Sequence, residues 1–227
     1  MEPTIYNMLL RLPLFQGMSR THLFEIIERA VFHFRKVGNH ETAFSQGEWC
    51  GQLTFLMGGE LVATTQAPNA EFSLEETIGP CSIIEPYSLF GKHPLYKATY
   101  TARVEASLLS IDKQYVYTLL ESYEIFRINF FNLLSRKIEN LSERQWAVSP
   151  HTSEEKLASF IHNLCTTSQG TKTMHIKMEE LARLLGCTRL NVSSILNKWK
   201  EEGLIEMRRK AFVVHDIAKL LEKTLHS

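Results

Sequence analysis

The stretch from Lys177 to Val214 constrains the fold of this chain more than any other part of it. It reads K-M-E-E-L-A-R-L-L-G-C-T-R-L-N-V-S-S-I-L-N-K-W-K-E-E-G-L-I-E-M-R-R-K-A-F-V-V. Leu181, Leu184 and Leu185 predict a short amphipathic helix, and Gly186-Cys187-Thr188 breaks it. Val192, Ile195, Leu196 and Trp199 then recur at helical spacing, which predicts a second helix ended by Gly203. Two β-like runs, Leu204–Met207 and Ala211–Val214, flank the basic turn Arg208-Arg209-Lys210. Helix, tight turn, helix and basic hairpin in this order imply a winged helix-turn-helix, a motif that lays its second helix in the DNA major groove.

The residues left outside on that second helix carry the implication further. They are Thr188, Arg189, Asn191, Ser193, Ser194 and Asn197, with Leu190 beside Arg189; an ordinary solvated face carries more Glu and Lys and fewer short polar residues. Arginine pairs bidentately with guanine and asparagine with adenine, while serine and threonine serve bases or phosphates. Thr188 suits an N-cap, satisfying free N–H groups at the helix start. Arg208, Arg209 and Lys210 put three positive charges where a duplex backbone would pass. The competing reading is a helical hairpin with a solvated charge run; the ordered succession of cap, breaker, polar face and basic hairpin counts against it.

A net charge of zero argues at first against nucleic acid, but the charge is unevenly divided. From His151 onward there are 12 Lys and Arg against 9 Asp and Glu, and the first 150 residues hold 13 and 16. A basic C-terminal third behind a slightly acidic remainder fits a DNA-binding domain attached to another domain. With 227 residues, two cores are affordable on size grounds. No apolar run spans a bilayer and the N-terminus shows no basic-then-apolar signal, so a cytoplasmic protein without membrane contact is expected. Cys50, Cys81, Cys165 and Cys187 are scattered, none in a C-x-x-C pair, so neither metal nor cofactor is expected and the thiols read as inert.

Upstream, Arg20–Arg29 predicts a helix with Leu23, Ile26 and Ile27 inward, preceded by a lead-in from Leu12 to Gly17. Between Val31 and Ile111 the pattern turns to short strands. Gln52–Met57 alternates, Gly58-Gly59 reads as a tight turn, and Leu61, Ala63 and Thr65 resume the alternation. Phe72–Ile78, Thr99–Val104 and Ser107–Ile111 complete an all-β barrel or sandwich. From Asp112 to Trp146 there is no Gly or Pro, and one long helix with two apolar stripes is expected. One stripe is Leu119, Tyr123, Phe126, Phe130 and Leu133; the other is Phe131, Leu134, Ile138 and Leu141. Two apolar faces need two partners, the β domain and an identical helix, so a homodimer is expected, with Phe126, Phe131, Leu134, Ile138 and Leu141 at its interface. Ser149-Pro150-His151-Thr152-Ser153 reads as the hinge, and Thr152 or Ser153 as the cap of the next helix. The expected fold is α+β, in three parts: a β-roll domain with an N-terminal helix (1–112), a long connector helix (113–148) and a winged helix-turn-helix (149–227).

This order resembles the CRP/FNR family of bacterial transcription regulators over nearly the whole chain. The carrying residues are Gln46-Gly47-Glu48, Phe55-Leu56-Met57-Gly58-Gly59-Glu60-Leu61, Ala102-Arg103-Val104-Glu105-Ala106 and the Leu-Gly-Cys-Thr-Arg-Leu-Asn-Val-Ser of the helix-turn-helix. The resemblance implies a homodimer on a palindromic operator, a cyclic-nucleotide-binding-like jelly roll that senses an effector, and RNA polymerase as a partner if the protein is an activator. It places base reading at Arg189, Leu190 and Ser194, and phosphate contacts at Thr188, Asn191 and Lys210. Only Arg189 keeps the residue type of family members that read the best-known operator, so a different operator is expected. Leu190 suits a thymine methyl, and Ser194 is too short for a guanine fork.

The effector region departs from the family pattern more. Cyclic-nucleotide-binding members surround the ribose phosphate with a Gly-Glu-Leu turn and an Arg-Ser-Ala segment. The equivalent stretches here are Ile84-Glu85-Pro86-Tyr87-Ser88-Leu89-Phe90 and Tyr96-Lys97-Ala98-Thr99. Pro86 removes a backbone donor and the arginine is absent, which counts against cAMP. Glu85, Tyr87, Lys97 and Thr99 are the candidate pocket residues. An iron–sulfur cluster lacks its N-terminal cysteines. His33, His40 and His93 are the haem candidates, each more simply read as a surface or packing residue. A non-nucleotide small molecule, a gas sensed through a cofactor, or no ligand remain open. Two other classes compete: a ligand-binding signalling module whose C-terminal domain docks protein, and an enzyme, for which no nucleophile motif, phosphate loop or metal cluster is present.

Overall fold

A computed structural model describes residues 5–146 and 150–225. Ser149 and the 148/149 boundary lie outside the described residues. In chain order the elements are α1 (Ile5–Leu9), a 3-10 turn (Pro13–Phe15), α2 (Arg20–Arg29), β1 (Phe32–Val37), β2 (Thr42–Phe44), β3 (Gln52–Gln66), β4 (Phe72–Ile78), β5 (Ile83–Ile84), α3 (Pro86–Leu89), β6 (Thr99–Asp112), α4 (Lys113–Ser122) and α5 (Glu124–Trp146). They continue with α6 (Ser153–Leu164), β7 (Lys172–Ile176), α7 (Met178–Leu185), α8 (Arg189–Glu201), β8 (Ile205–Arg208), β9 (Ala211–Val214) and α9 (Ile217–Leu225). The chain divides into two compact units, one of residues 1–61 with 79–146, the other of 62–78 with 147–227.

The first unit is built on the long antiparallel strand β6, which pairs with β1 from Phe32↔Ile111 to Val37↔Ala106 and receives β2 farther along. β3 lies on its other side and carries β5. Inward side chains such as Leu53, Phe55, Leu61, Ala102, Leu108 and Leu109 make the core. Gly58-Gly59 is not the turn its sequence suggests; it lies within the fifteen-residue strand β3. Gly59 has φ +82°, and a Cβ there would come within 2.1 Å of the Glu105 carbonyl oxygen. A neighbouring backbone, not a reversal of direction, demands glycine. Thr99–Val104 and Ser107–Ile111 are likewise one strand, not two.

The expected single helix is also in two pieces. Tyr123 is extended (φ −120°, ψ 103°) and separates α4 from α5. Its ring lies 5.4 Å from His22 and its hydroxyl donates to Glu25 at 3.3 Å, so contacts with α2 pin the break. The two stripes separate as expected in kind but not in membership. Phe126 is fully buried with its ring 5.2 Å from Phe15, and Phe130 packs at 6.0 Å from Phe90. Phe126 therefore belongs to the core of its own domain and cannot face a partner. Phe131, Ile138 and Leu141 stand outside, at 56%, 67% and 46% exposure, with Leu134 half-buried beside them.

The second unit takes in the β3–β4 hairpin as well as the C-terminal region. β4 pairs with β7 from Phe72↔Ile176 to Glu76↔Lys172, β7 with β9, and β9 with β8. Leu74 joins Leu157, Ile161, Leu181, Val192, Leu196, Trp199, Phe212 and Leu220 in one core. Thr152 caps α6 through a reciprocal pair: its hydroxyl accepts from the Glu155 amide, and the Glu155 carboxylate accepts from the Thr152 amide. Directly opposite each other on β4 and β7, Glu76 and Lys172 are 2% and 0% exposed and 3.0 Å apart. Glu76 also accepts from the Thr166 and Thr167 amides, and Lys172 donates to the Gln169 carbonyl. Nothing local in the sequence announced that buried pair.

Candidate nucleic-acid interface

The helix-turn-helix is held by its own local chemistry. Gly186 ends α7 in the left-handed conformation (φ 64°, ψ 35°), which glycine adopts without penalty. Cys187 N–H then reaches back to the Ala182 carbonyl at 3.0 Å. Thr188, extended, is the N-cap of α8: its hydroxyl accepts from the Asn191 amide at 3.2 Å. That hydroxyl keeps its proton free to donate to a phosphate. Of the first helix's stripe, Leu181 and Leu185 are buried but Leu184 is exposed, the place on the inner face being taken by Ala182.

Burial then decides which face of α8 looks out. Val192, Leu196 and Trp199 are fully buried, and Arg189, Leu190, Asn191, Ser194 and Asn197 are exposed, with Ser193 in between. Leu190 is 82% exposed, so it packs on nothing in the free protein. The helix is fastened from behind by a residue of α6. Glu154 on α6 accepts from the Trp199 indole N–H at 2.7 Å and pairs with Lys198 at 2.8 Å. Hydrogen bonds to a charged partner of this kind contribute about 1.5–3 kcal/mol where shielded from water.

The wing is a tight hairpin. Arg208 pairs with Ala211 across it, leaving Arg209-Lys210 as the loop, with Lys210 at φ 58°. The Lys210 carbonyl accepts from the Ile176 amide at 3.2 Å, tying the loop to β7. Arg209 and Lys210 are exposed, and Arg208 shares its charge with Glu206 at 3.0 Å. Arg189, Arg208 and Lys210 border one cleft of about 330 Å³, so the start of α8 and the wing present their charges on a common face. Glu179 on α7, which the sequence reading passed over, pairs with Arg189 at 3.3 Å. Both groups are well exposed, and such pairs are worth at most about 1 kcal/mol. The contact parks the guanidinium without committing it.

The effector candidates fare differently. Glu85 was expected to face a ligand, but it is buried and its oxygens accept from the Lys97 and Ala98 amides and the Ser88 and Tyr100 hydroxyls. That role is corrected: the carboxylate is saturated by its own chain. The Lys97 side chain is exposed, Thr99 accepts from the Gln46 amide, and the Tyr87 ring lies under the Lys137 ammonium at 5.6 Å. Phe44, Tyr96 and Tyr100 fill the adjoining interior ring against ring. Burial pushes the Tyr96 phenol and the Cys50 thiol up, so both stay neutral there. His33 is engaged by Asp112 at 3.0 Å, and His40 and His93 are exposed.

Comparison with known proteins agrees with this architecture. Residues 34–123 match the cyclic nucleotide-binding domain family and residues 155–223 the Crp-like helix-turn-helix domain family. The chain is 21% identical over 188 residues to the CRP-like cAMP-activated global transcriptional regulator of Mycobacterium tuberculosis, covering 80% of this chain and 84% of that one. It is 27% identical over 104 residues to the anaerobic regulatory protein of Haemophilus influenzae, covering 43% and 40%. Among solved structures, the catabolite activator protein of Thermus thermophilus is similar at 20% identity and a TM-score of 0.48, over 94% of this chain and 99% of that one. Among the described residues no helix is long and apolar enough to cross a membrane. The chain belongs to the CRP/FNR family of bacterial transcription regulators, and it is a DNA-binding transcription regulator.

Proposed function

We propose that this regulator works in the cytoplasm as a homodimer on a palindromic operator. Arg189, Leu190 and Ser194 read bases, while Thr188, Asn191, Arg208, Arg209 and Lys210 hold the phosphates. The observation that carries this reading is the outward face of α8, polar and short-chained around a bare Leu190, bordering the same cleft as the wing cations. Arginine forks onto guanine, and the leucine suits a thymine methyl. The exposed Phe131, Ile138 and Leu141 stripe supports the dimer, since an apolar ridge of that extent needs cover. Two recognition helices would then meet half-sites about one helical turn apart. The division into a sensing region (1–112), a connector (113–148) and a DNA-binding region (149–227) belongs to this reading. So does RNA polymerase as a partner, should the protein activate.

Control by the β-roll would be a shift between two arrangements of the recognition helices. Strand β3 supports such coupling because it is common to both units: its first residues belong to the sensing unit and its last to the DNA-binding unit. Glu71, in the turn after β3, pairs with Arg183 on α7, a direct handle on the helix-turn-helix. The test is an anisotropy titration of a labelled duplex at several salt concentrations, with sedimentation of the same sample. Affinity should fall with a log–log slope of about −0.9 per phosphate contacted, on a dimer. Binding indifferent to salt would favour the protein-docking module instead.

A further inference from the structure

Glu85 sits at φ 38°, ψ 56°, immediately before Pro86. An L-residue pays about 1–2 kcal/mol for the left-handed region, and a following proline disfavours helical dihedrals further. Glycine is the residue this backbone suits, yet a glutamate occupies it, and its side chain is 4% exposed. The carboxylate receives five hydrogen bonds from four donors. Lys97 N–H reaches both oxygens at 2.9 and 2.8 Å, and Ala98 N–H reaches Oε1 at 3.0 Å. The Tyr100 hydroxyl donates to Oε1 at 2.9 Å and the Ser88 hydroxyl to Oε2 at 2.8 Å. Every one of these donors is uncharged. Convergent N–H and O–H dipoles without a cation are how proteins hold a buried anion by preorganisation.

We propose that these four donors form an oxyanion cradle in the β-roll, and that the chain fills it with its own Glu85 carboxylate. The wild-type protein thereby holds this site in the occupied state with no small molecule. Backbone strain at Glu85 is the cost of swinging that carboxylate inward, and the five hydrogen bonds offset it. The ligand class the cradle takes once the carboxylate is gone is phosphate or a phosphate ester. Two oxygens of a phosphate lie about as far apart as those of a carboxylate and accept from the same donors. The inference rests on the reading of the β-roll as the sensing domain, and its test uses no DNA, so its failure leaves the duplex reading standing.

The experiment is a titration of ¹⁵N-labelled full-length protein with inorganic phosphate at fixed ionic strength, with chloride as control. Glu85→Gly removes the side chain and relieves the left-handed backbone. In that variant the Lys97 and Ala98 amide resonances should shift saturably with phosphate and not with chloride. The wild type should respond at least about tenfold more weakly. A folded Glu85→Gly whose two amides ignore phosphate, or a wild type that responds equally, overturns the proposal. Should Glu85→Gly fail to fold, Glu85→Gln keeps the volume and discards the charge. Its Lys97 and Ala98 amide protons should then move upfield and exchange several-fold faster, because a neutral oxygen is the weaker acceptor. Unchanged amides in that variant also overturn it.

Discussion

Removing the Lys172 ammonium while keeping its volume, as in Lys172→Met, leaves the Glu76 carboxylate buried at 2% exposure without its counter-charge. Loss of one partner from a buried pair costs about 3–5 kcal/mol. Three donors survive around Glu76, the Thr166 amide and hydroxyl and the Thr167 amide, which places the loss near the lower end, about 3 kcal/mol. Glu76→Leu strands the ammonium with only the Gln169 carbonyl and should cost as much or more. The double change Lys172→Met with Glu76→Leu buries no charge at all. Thr166 is exposed, so its freed amide can turn to water. The double variant should therefore lose less than the two single losses combined, by at least about 2 kcal/mol. Native-state hydrogen exchange of the β4–β7 amides is the assay, because it reads the opening of this pairing even where global unfolding is not two-state. Strictly additive losses, or a single-variant loss below about 1 kcal/mol, would refute the argument that this pair fastens the β3–β4 hairpin into the DNA-binding unit.

Five further outcomes are expected. Arg189→Ala should lose about 1–3 kcal/mol of operator affinity and relax preference at one base position, checked by competition with single-base operator variants. Lys210→Ala should weaken all duplexes alike and lower the salt slope by about 1. Ile138→Asp, on the exposed stripe, should sediment as a monomer with an unchanged fold, whereas Phe126→Ala should cost about 3–5 kcal/mol of stability by leaving a cavity. A hydrogen bond from His33 and another from Gln52 hold the Asp112 carboxyl below its ordinary range. A depressed folded value stabilises the fold above the unfolded value of about 3.9, and that contribution disappears as pH falls through the folded value. Asp112→Asn should therefore flatten the acid limb of a stability profile recorded below about pH 5.

What could be read in advance was whatever is written in neighbouring residues. The α8 face follows from apolar residues three and four apart, the cap from Thr188, and the wing from a basic turn between two β-like runs. What escaped depends on partners distant along the chain. Gly58-Gly59 looked like a turn because the reason for glycine at 59 is the backbone of Glu105 and Ala106. The break at Tyr123 has no Gly or Pro to mark it, and its cause lies on α2. Both apolar stripes were visible, but which residues face the core is settled by packing such as Phe15 on Phe126. Glu85 was picked out by its chemical type. Its use by the Lys97 and Ala98 amides depends on a backbone conformation that local propensity opposes. Glu76, Lys172 and Glu154 each act on an element far along the chain, and Glu179 acts across the turn on the next helix; no local pattern names them.

Reading of a palindromic DNA sequence through paired α8 helices is tested by selection from a random duplex pool. The purified full-length protein would be used with no small molecule added. Paired α8 helices should enrich a palindrome whose half-sites lie about one helical turn apart, with one conserved guanine in each half-site that Arg189→Ala no longer selects. A pool that stays random, or an enriched sequence indifferent to Arg189→Ala, would contradict it.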